Sequence, residues 1–158
     1  MQNITCATLD LNVQVDRSVR MVPNWAREEM IHPEFKLDCR PVSYNLQTGV
    51  GQWLHDSQKG DIVRGSVIFD YLVRTKRLPL CLNWQDGLAI QKKGLSVFLK
   101  LFSGNSAVFL WGSPFKDNAG KPSVPCLFRL GSEVGLDRRL VSDFFCVFNP
   151  ALCFNNGF

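Results

Sequence analysis

The sequence predicts an all-β fold in a single domain spanning residues 1–158. Three observations carry this expectation. The length suits one hydrophobic core and not two. Apolar and polar residues alternate with period two through most of the chain, the pattern of half-buried strands. Turn-forming clusters such as Gln47-Thr48-Gly49-Val50-Gly51, Gln58-Lys59-Gly60-Asp61, Trp84-Gln85-Asp86-Gly87 and Ser103-Gly104-Asn105 separate the alternating runs at short intervals, as in a sandwich or a barrel.

Thr8–Val15 opens the pattern: Leu9, Leu11, Val13 and Val15 point one way, Thr8, Asp10, Asn12 and Gln14 the other. The one predicted helix follows at Asn24–Ile31. Asn24 can cap it, Glu28 and Glu29 lie near its positive end, and Pro33 stops it. Two turns cannot stand alone, so Trp25 and Met30 are expected to be buried against the sheet. Alternation resumes in Phe35–Arg40, where Phe35, Leu37 and Cys39 share a face. It continues in Ile62–Val73, with Val63, Val67, Phe69 and Tyr71 opposite Arg64, Ser66 and Asp70, and again in Leu78–Trp84 and Leu95–Leu101. Ala107–Trp111, Val124–Leu130 and Leu140–Phe148 are almost continuously apolar, which predicts strands buried on both faces or lying against a partner.

Apolar residues make up 46% of the chain and charged residues 20%, which excludes a disordered chain. No apolar run reaches the roughly 18 residues of a membrane span, no signal-peptide core is seen, and the Asn3-Ile4-Thr5 sequon is read as chance. The six cysteines include no CxxC pair, so they do not suggest a zinc site. All six are expected to be reduced, with Cys39, Cys81, Cys126 and Cys146 buried as small hydrophobes. The two histidines, His32 and His55, give no catalytic set. His55-Asp56-Ser57 holds the residue types of a triad, but sequence neighbours cannot assemble its geometry. A His–Cys pairing is expected by chance among six cysteines. Gly120-Lys121-Pro122-Ser123 lacks the first glycine and the helix start of a phosphate loop. No catalytic residue, cofactor site or metal site is predicted, and the chain is read as a non-enzyme.

Charge is uneven. Residues 1–58 carry 5 basic and 7 acidic side chains, net −2, and residues 59–158 carry 13 and 7, net +6. The candidate contact residues for RNA or for neighbouring subunits are three basic clusters: Arg74, Lys76 and Arg77; Lys92 and Lys93; Arg138 and Arg139. All are predicted at strand ends or in loops. Four Trp and twelve Phe exceed what one small core readily hides, which favours association with other subunits.

One stretch carries a family resemblance. Asn24-Trp25-Ala26, then Met30-Ile31-His32-Pro33-Glu34-Phe35-Lys36-Leu37, then the turn Tyr44–Gly51, resembles the jelly-roll coat proteins of plant picorna-like RNA viruses, the nepovirus and cheravirus branch of the secovirids. The C-terminal Phe144–Pro150 and Phe154–Phe158 are similar to the end of those proteins. The resemblance implies an eight-stranded jelly-roll sandwich, with strands near 4–15, 35–44, 50–55, 62–74, 78–84, 95–103, 107–111 or 124–131, and 140–149. It implies a structural coat subunit of an icosahedral virus, assembled in the host cytoplasm with itself or sister subunits, found in the virion, with viral RNA as a further partner and neither membrane nor small-molecule substrate. The rival class is a small β-barrel that binds nucleic acid through a charged groove with exposed aromatics.

Overall fold

Apolar side chains alternate along the central strands so that two cores form, one on each face of a sheet. The computed structural model describes residues 8–18, 20–30 and 38–155. Among these residues strand outweighs helix. The elements run β1 (Asn12–Gln14), β2 (Ala26–Glu29), β3 (Ser43–Asn45), β4 (Val50–Trp53), β5 (Val63–Arg64), α1 (Gly65–Arg74), α2 (Trp84–Lys93), α3 (Leu95–Phe102), β6 (Val108–Phe109), β7 (Phe115–Asp117), β8 (Pro122–Leu130), β9 (Glu133–Leu140), β10 (Phe144–Phe145) and β11 (Ala151–Phe154). The main sheet has the order β2-β7-β8-β6-β11-β4, with β9 on the free side of β8, and it is not a closed barrel. Its pairings are antiparallel except β11 with β6. β1 with β3, and β5 with β10, form two separate antiparallel ribbons.

The pleat sorts the side chains. Val108, Leu110, Leu127, Leu152 and Phe154 enter one core with Ile90 of α2 and Val97, Phe98 and Phe102 of α3. Phe109, Trp111, Val124, Cys126, Ala151 and Cys153 enter the other with Ile68 and Leu72 of α1 and with Val63 and Phe145 of the β5–β10 ribbon. Helices therefore cover both faces of the sheet. Val108–Phe109 and the Val124–Leu127 part of β8 are strands buried on both sides, as predicted, but Arg129 and Leu130 are exposed. Leu140–Phe148, predicted as a strand buried on both faces or lying against a partner, is instead the end of β9, a turn and the two-residue β10, with Phe144, Val147 and Phe148 exposed.

The helices correct the all-β expectation. Ile62–Val73 is extended only at Val63–Arg64. From Gly65 onward it is α1, whose buried Gly65, Ile68 and Leu72 lie on one face at helical spacing while Val67, Asp70 and Arg74 point outward. Gly65 is required there: a Cβ would come within 2.5 Å of the Val141 carbonyl oxygen and 2.6 Å of the Phe145 ring. Leu95–Phe102 is α3 and not a strand, set off from α2 by Gly94 at φ +89°. Leu78–Leu80 is a 3-10 turn, Cys81 bridges to Cys153, and Trp84 already belongs to α2.

The predicted helix at Asn24–Ile31 is also corrected: Ala26–Glu29 is edge strand β2, and Ile31 lies outside the described residues. The short segment gains more from the open edge of β7, where Ala26, Glu28 and Glu29 pair with Asp117, Lys116 and Phe115, than from two unsupported helical turns. Glu28 and Lys116 add an exposed ion pair at 3.5 Å. Trp25, expected to be largely buried, is half-buried. Its ring meets Trp84 and Phe115 edge-on, at 6.0 and 5.6 Å, with the Arg138 guanidinium 4.8 Å from its centre. Of the predicted strand Phe35–Arg40, residues 35–37 lie outside the described residues and 38–40 are irregular.

Cys81 and Cys126 are buried as expected and Cys153 is buried as well, but Cys39 is exposed and Cys146 is half-buried. Cys6 lies outside the described residues. Burial pushes the Cys126 thiol up to about 12, and it raises Cys153, which also exchanges a hydrogen bond with Cys81 at 3.6 Å. Among the described residues no helix is long and apolar enough to cross a membrane.

Candidate nucleic-acid interface

Three half-buried rings meet where the edge strand β4 ends beside α1. Trp53 is the last residue of β4. Its register partner is Ala151, which the pleat puts on the α1 face of the sheet. Tyr71 lies one turn beyond the buried Ile68, on the flank of the helix that borders the core. The rings of Trp53 and Tyr71 stack, with centres 5.6 Å apart and planes 14° from parallel. His55 completes the group, edge-on to Tyr71 at 5.0 Å and to Trp53 at 6.2 Å.

His55 is fixed by its own backbone role. It caps a 3-10 turn, Asp56–Gln58: its Nδ1 accepts the Ser57 N–H at 3.1 Å, while the Gln58 side chain accepts the His55 N–H at 2.9 Å. Asp56 is turned to Lys59 Nζ at 3.1 Å. His55, Asp56 and Ser57 therefore form no relay, as the sequence argument required.

The end of α1 brings charge to these rings. Thr75 is the C-cap. The Arg77 N–H bonds back to the Leu72 carbonyl at 2.8 Å and the Lys76 N–H to the Val73 carbonyl at 3.1 Å, a Schellman closure. This closure needs a left-handed residue, normally glycine. Here it is Lys76, at φ +58°, a conformation that costs an L-residue about 1–2 kcal/mol. The turn holds Arg74 and Arg77 with their guanidinium carbons each 5.9 Å from the centre of the Tyr71 ring. Arg74 and Lys76 are exposed.

The seven basic residues predicted from sequence do not share one surface. Arg74, Lys76 and Arg77 lie together on the α1 side. Lys92 and Lys93 end α2 on the opposite face, where Lys93 reaches Asp10 at 3.2 Å and both line a groove of about 300 Å³ with Val13, Met21, Leu88 and Ala89. Arg138 and Arg139 are neighbours in β9 and so point to opposite faces. Arg138 turns to Trp25, whereas Arg139 lies over the rings of Phe109 and Phe145 at 4.9 and 5.2 Å and donates to Asn149 Oδ1. Arg139 is thus largely engaged in the core, and of the three clusters Arg74–Arg77 is the one that sets two guanidinium groups beside one half-buried ring.

Sequence reasoning missed a second polar constellation. Asn83 and Asp86 form a capping box at the start of α2: the Asp86 N–H bonds to Asn83 Oδ1 at 3.2 Å and the Asn83 N–H to Asp86 Oδ2 at 2.8 Å. The fully buried Asp86 also accepts Arg17 at 2.8 Å and the Tyr44 hydroxyl at 2.6 Å. Asn83 Nδ2 continues the chain to Asp38, which in turn pairs with Arg40. Arg40 donates to the carbonyls of Leu78, Cys81 and Gly112. Burial, then the Asp86 carboxylate, push the Tyr44 hydroxyl far up. Burial of Asp38 opposes its ionisation, but Arg40 and then Arg17 outweigh it and hold the carboxyl below its usual range. Every member has a partner, so the network ties the N-terminal segment to α2 and leaves no reactive group. The Asn83-x-x-Asp86 spacing was the signal for it. No group of three or more His, Cys, Asp or Glu side chains gathers as a metal site among the described residues.

Compared with known proteins, the chain matches no family model, no curated protein and no solved structure.

Proposed function

We propose that this protein binds single-stranded nucleic acid non-catalytically, through the surface at the end of α1. The observation that carries this reading is the union of the half-buried rings of Trp53, His55 and Tyr71 with Arg74, Lys76 and Arg77 on one corner of the molecule. Unpaired bases stack on aromatic faces without regard to sequence, at about 1–3 kcal/mol per base, while cations beside them take the phosphates. The strained Lys76 supports the same reading: a glycine would close the helix more cheaply, but without the charge. It needs no closed barrel.

The test is fluorescence anisotropy of a labelled single-stranded RNA titrated with protein at several salt concentrations. Three phosphate contacts give a slope of log affinity against log salt of about −2. Replacing Arg74, Lys76 and Arg77 together by Gln should flatten it, and Tyr71→Ala should weaken binding by about 1–3 kcal/mol. Undiminished binding by the triple variant ends the proposal.

A second reading, the secovirid-like coat subunit that assembles around RNA in the host cytoplasm and resides in the virion, draws on a different observation. The β5–β10 ribbon turns apolar side chains outward, with Phe144 and Phe148 about half exposed. That reading brings with it a jelly-roll order of eight strands. It takes its support from the outward ribbon face, since the sheet order β2-β7-β8-β6-β11-β4 with helices on both faces is not two facing four-stranded sheets. Electron microscopy of the expressed protein with RNA is its test: closed shells sustain it, and dispersed particles of subunit size end it.

A further inference from the structure

The β5–β10 ribbon has an apolar face in the core and a solvent face on which Ile62 and Phe144 lie beside Arg64. Phe145 pairs with Val63 and both are buried; Phe144 pairs with Arg64 and faces out, as does Ile62 by the same alternation. Ile62, Phe144 and Phe148 are 55, 50 and 53% exposed, and Val147 is exposed with them. A solvent-facing ribbon surface is ordinarily polar, and a contiguous exposed apolar patch marks a contact surface.

The patch is also held rigidly. The turn that presents Val147 and Phe148 is pinned from beneath by the buried Gln58, whose Nε2 donates to the carbonyls of Cys146 and Asn149, both at 3.1 Å. The buried Asn149 accepts the Cys146 N–H at 3.0 Å and Arg139 at 3.1 Å. The Phe148 carbonyl accepts the Ser106 N–H at 3.1 Å. Four polar groups thus fix two hydrophobic side chains in water. That pre-organisation lowers the entropy lost on association.

We infer that this ribbon face is the contact between two copies of the chain, related by a two-fold axis. The charges on the patch select a second copy. Arg64 lies over the Phe144 ring at 4.6 Å, next to the exposed Asp143. A two-fold contact, in which each surface meets itself, sets Arg64 of each copy against Asp143 of the other near the axis and lays the apolar residues of the two copies together beside the two ion pairs. The inference deepens the coat reading and rests on it only for growth beyond a pair. A dimer that never forms shells ends the coat reading and leaves this interface standing. Shells built from subunits indifferent to Phe144 and Phe148 do the reverse.

The experiment is sedimentation equilibrium of the full chain, without nucleic acid, from micromolar to millimolar concentration. The wild type should dimerise. Phe144→Glu with Phe148→Glu should raise the dissociation constant by about thirtyfold or more, as for loss of central contact residues, while circular dichroism stays unchanged because both side chains are exposed. Arg64→Asp and Asp143→Arg should each weaken self-association when alone. An equimolar mixture of the two should recover it, because each restores the other's ion pair. A wild type that stays monomeric throughout, a dimer untouched by the glutamates, or a mixture no stronger than its components overturns the inference.

Discussion

Replacing Asp86 by Ala should remove much of the stability of this protein. The carboxylate is fully buried and receives four hydrogen bonds: two from Arg17 at 2.8 and 3.4 Å, one from Tyr44 at 2.6 Å, and one from the Asn83 N–H at 2.8 Å. Its loss leaves the Arg17 guanidinium, only 6% exposed, with only the more distant Asp38, at 3.8 Å, as its anion. Removing one partner of a buried pair costs about 3–5 kcal/mol. Two features adjust that range. Arg17 keeps the Pro41 carbonyl at 2.6 Å, which lowers the penalty, and α2 loses half of its capping box, which adds about 1 kcal/mol. The expected cost is about 4 kcal/mol. With a urea dependence of about 2 kcal/mol per molar for a domain of this size, the unfolding midpoint should fall by about 2 M. The triple variant Arg17→Met, Tyr44→Phe, Asp86→Leu leaves only the Asn83 N–H of the carboxylate's partners without its acceptor and should recover part of the loss, ending within about 1–3 kcal/mol of the wild type. A loss below about 1 kcal/mol for Asp86→Ala, or a triple variant worse than the single one, would refute the assignment of the network as a buried, mutually satisfied unit.

Two further outcomes follow from the same structure. Tyr44 is held protonated by burial and by Asp86, so its folded pKa lies above that of the unfolded chain. Its stability contribution is full below pH about 10 and is lost as the pH rises beyond it, with a slope of up to about 1.4 kcal/mol per pH unit; alkaline urea titrations should show that slope, and Tyr44→Phe should flatten it. Lys76→Gly relieves the left-handed C-cap and should raise stability by about 1 kcal/mol, while lowering the salt slope of RNA binding by about 0.7.

The fold was legible where a segment's burial left one choice. Ala107–Trp111 and Val124–Leu127 are apolar on both alternating sets, and both sets are buried because helices cover both faces of the sheet. Leu95–Phe102 was ambiguous. Leu95, Val97, Leu99 and Leu101 alternate like a strand, but the larger Phe98 and Phe102 follow Leu95 at helical spacing, and all of them touch one core. Short apolar runs fit either period. The deciding signals were local: Gly94 between two helices and the Asn83–Asp86 box at the first. At Ala26–Glu29 the sequence carried a capping residue and acidic side chains suited to a helix, but the strand partner Phe115–Asp117 lies some ninety residues away and no local reading reaches it.

The candidate site was legible in its charges and not in its rings. Arg74, Lys76 and Arg77 are adjacent in sequence and stand out as a cluster. Trp53 and His55 come from another element and join Tyr71 only because α1 packs on the face of the sheet to which the last residue of β4 points. Reading 62–74 as a strand put Tyr71 on the buried face with Val63 and Val67. As a helix it sits one turn beyond Ile68, at the margin of the core, and its ring borders solvent. The helical assignment also gives the basic cluster its form. A strand end would have splayed Arg74, Lys76 and Arg77 to alternate sides, whereas a Schellman turn brings Arg74 and Arg77 to one ring, and the sequence places a lysine where the backbone asks for glycine. Lys76 is exposed, so burial does not offset its conformational cost, and the proposed contact with phosphate is what accounts for it.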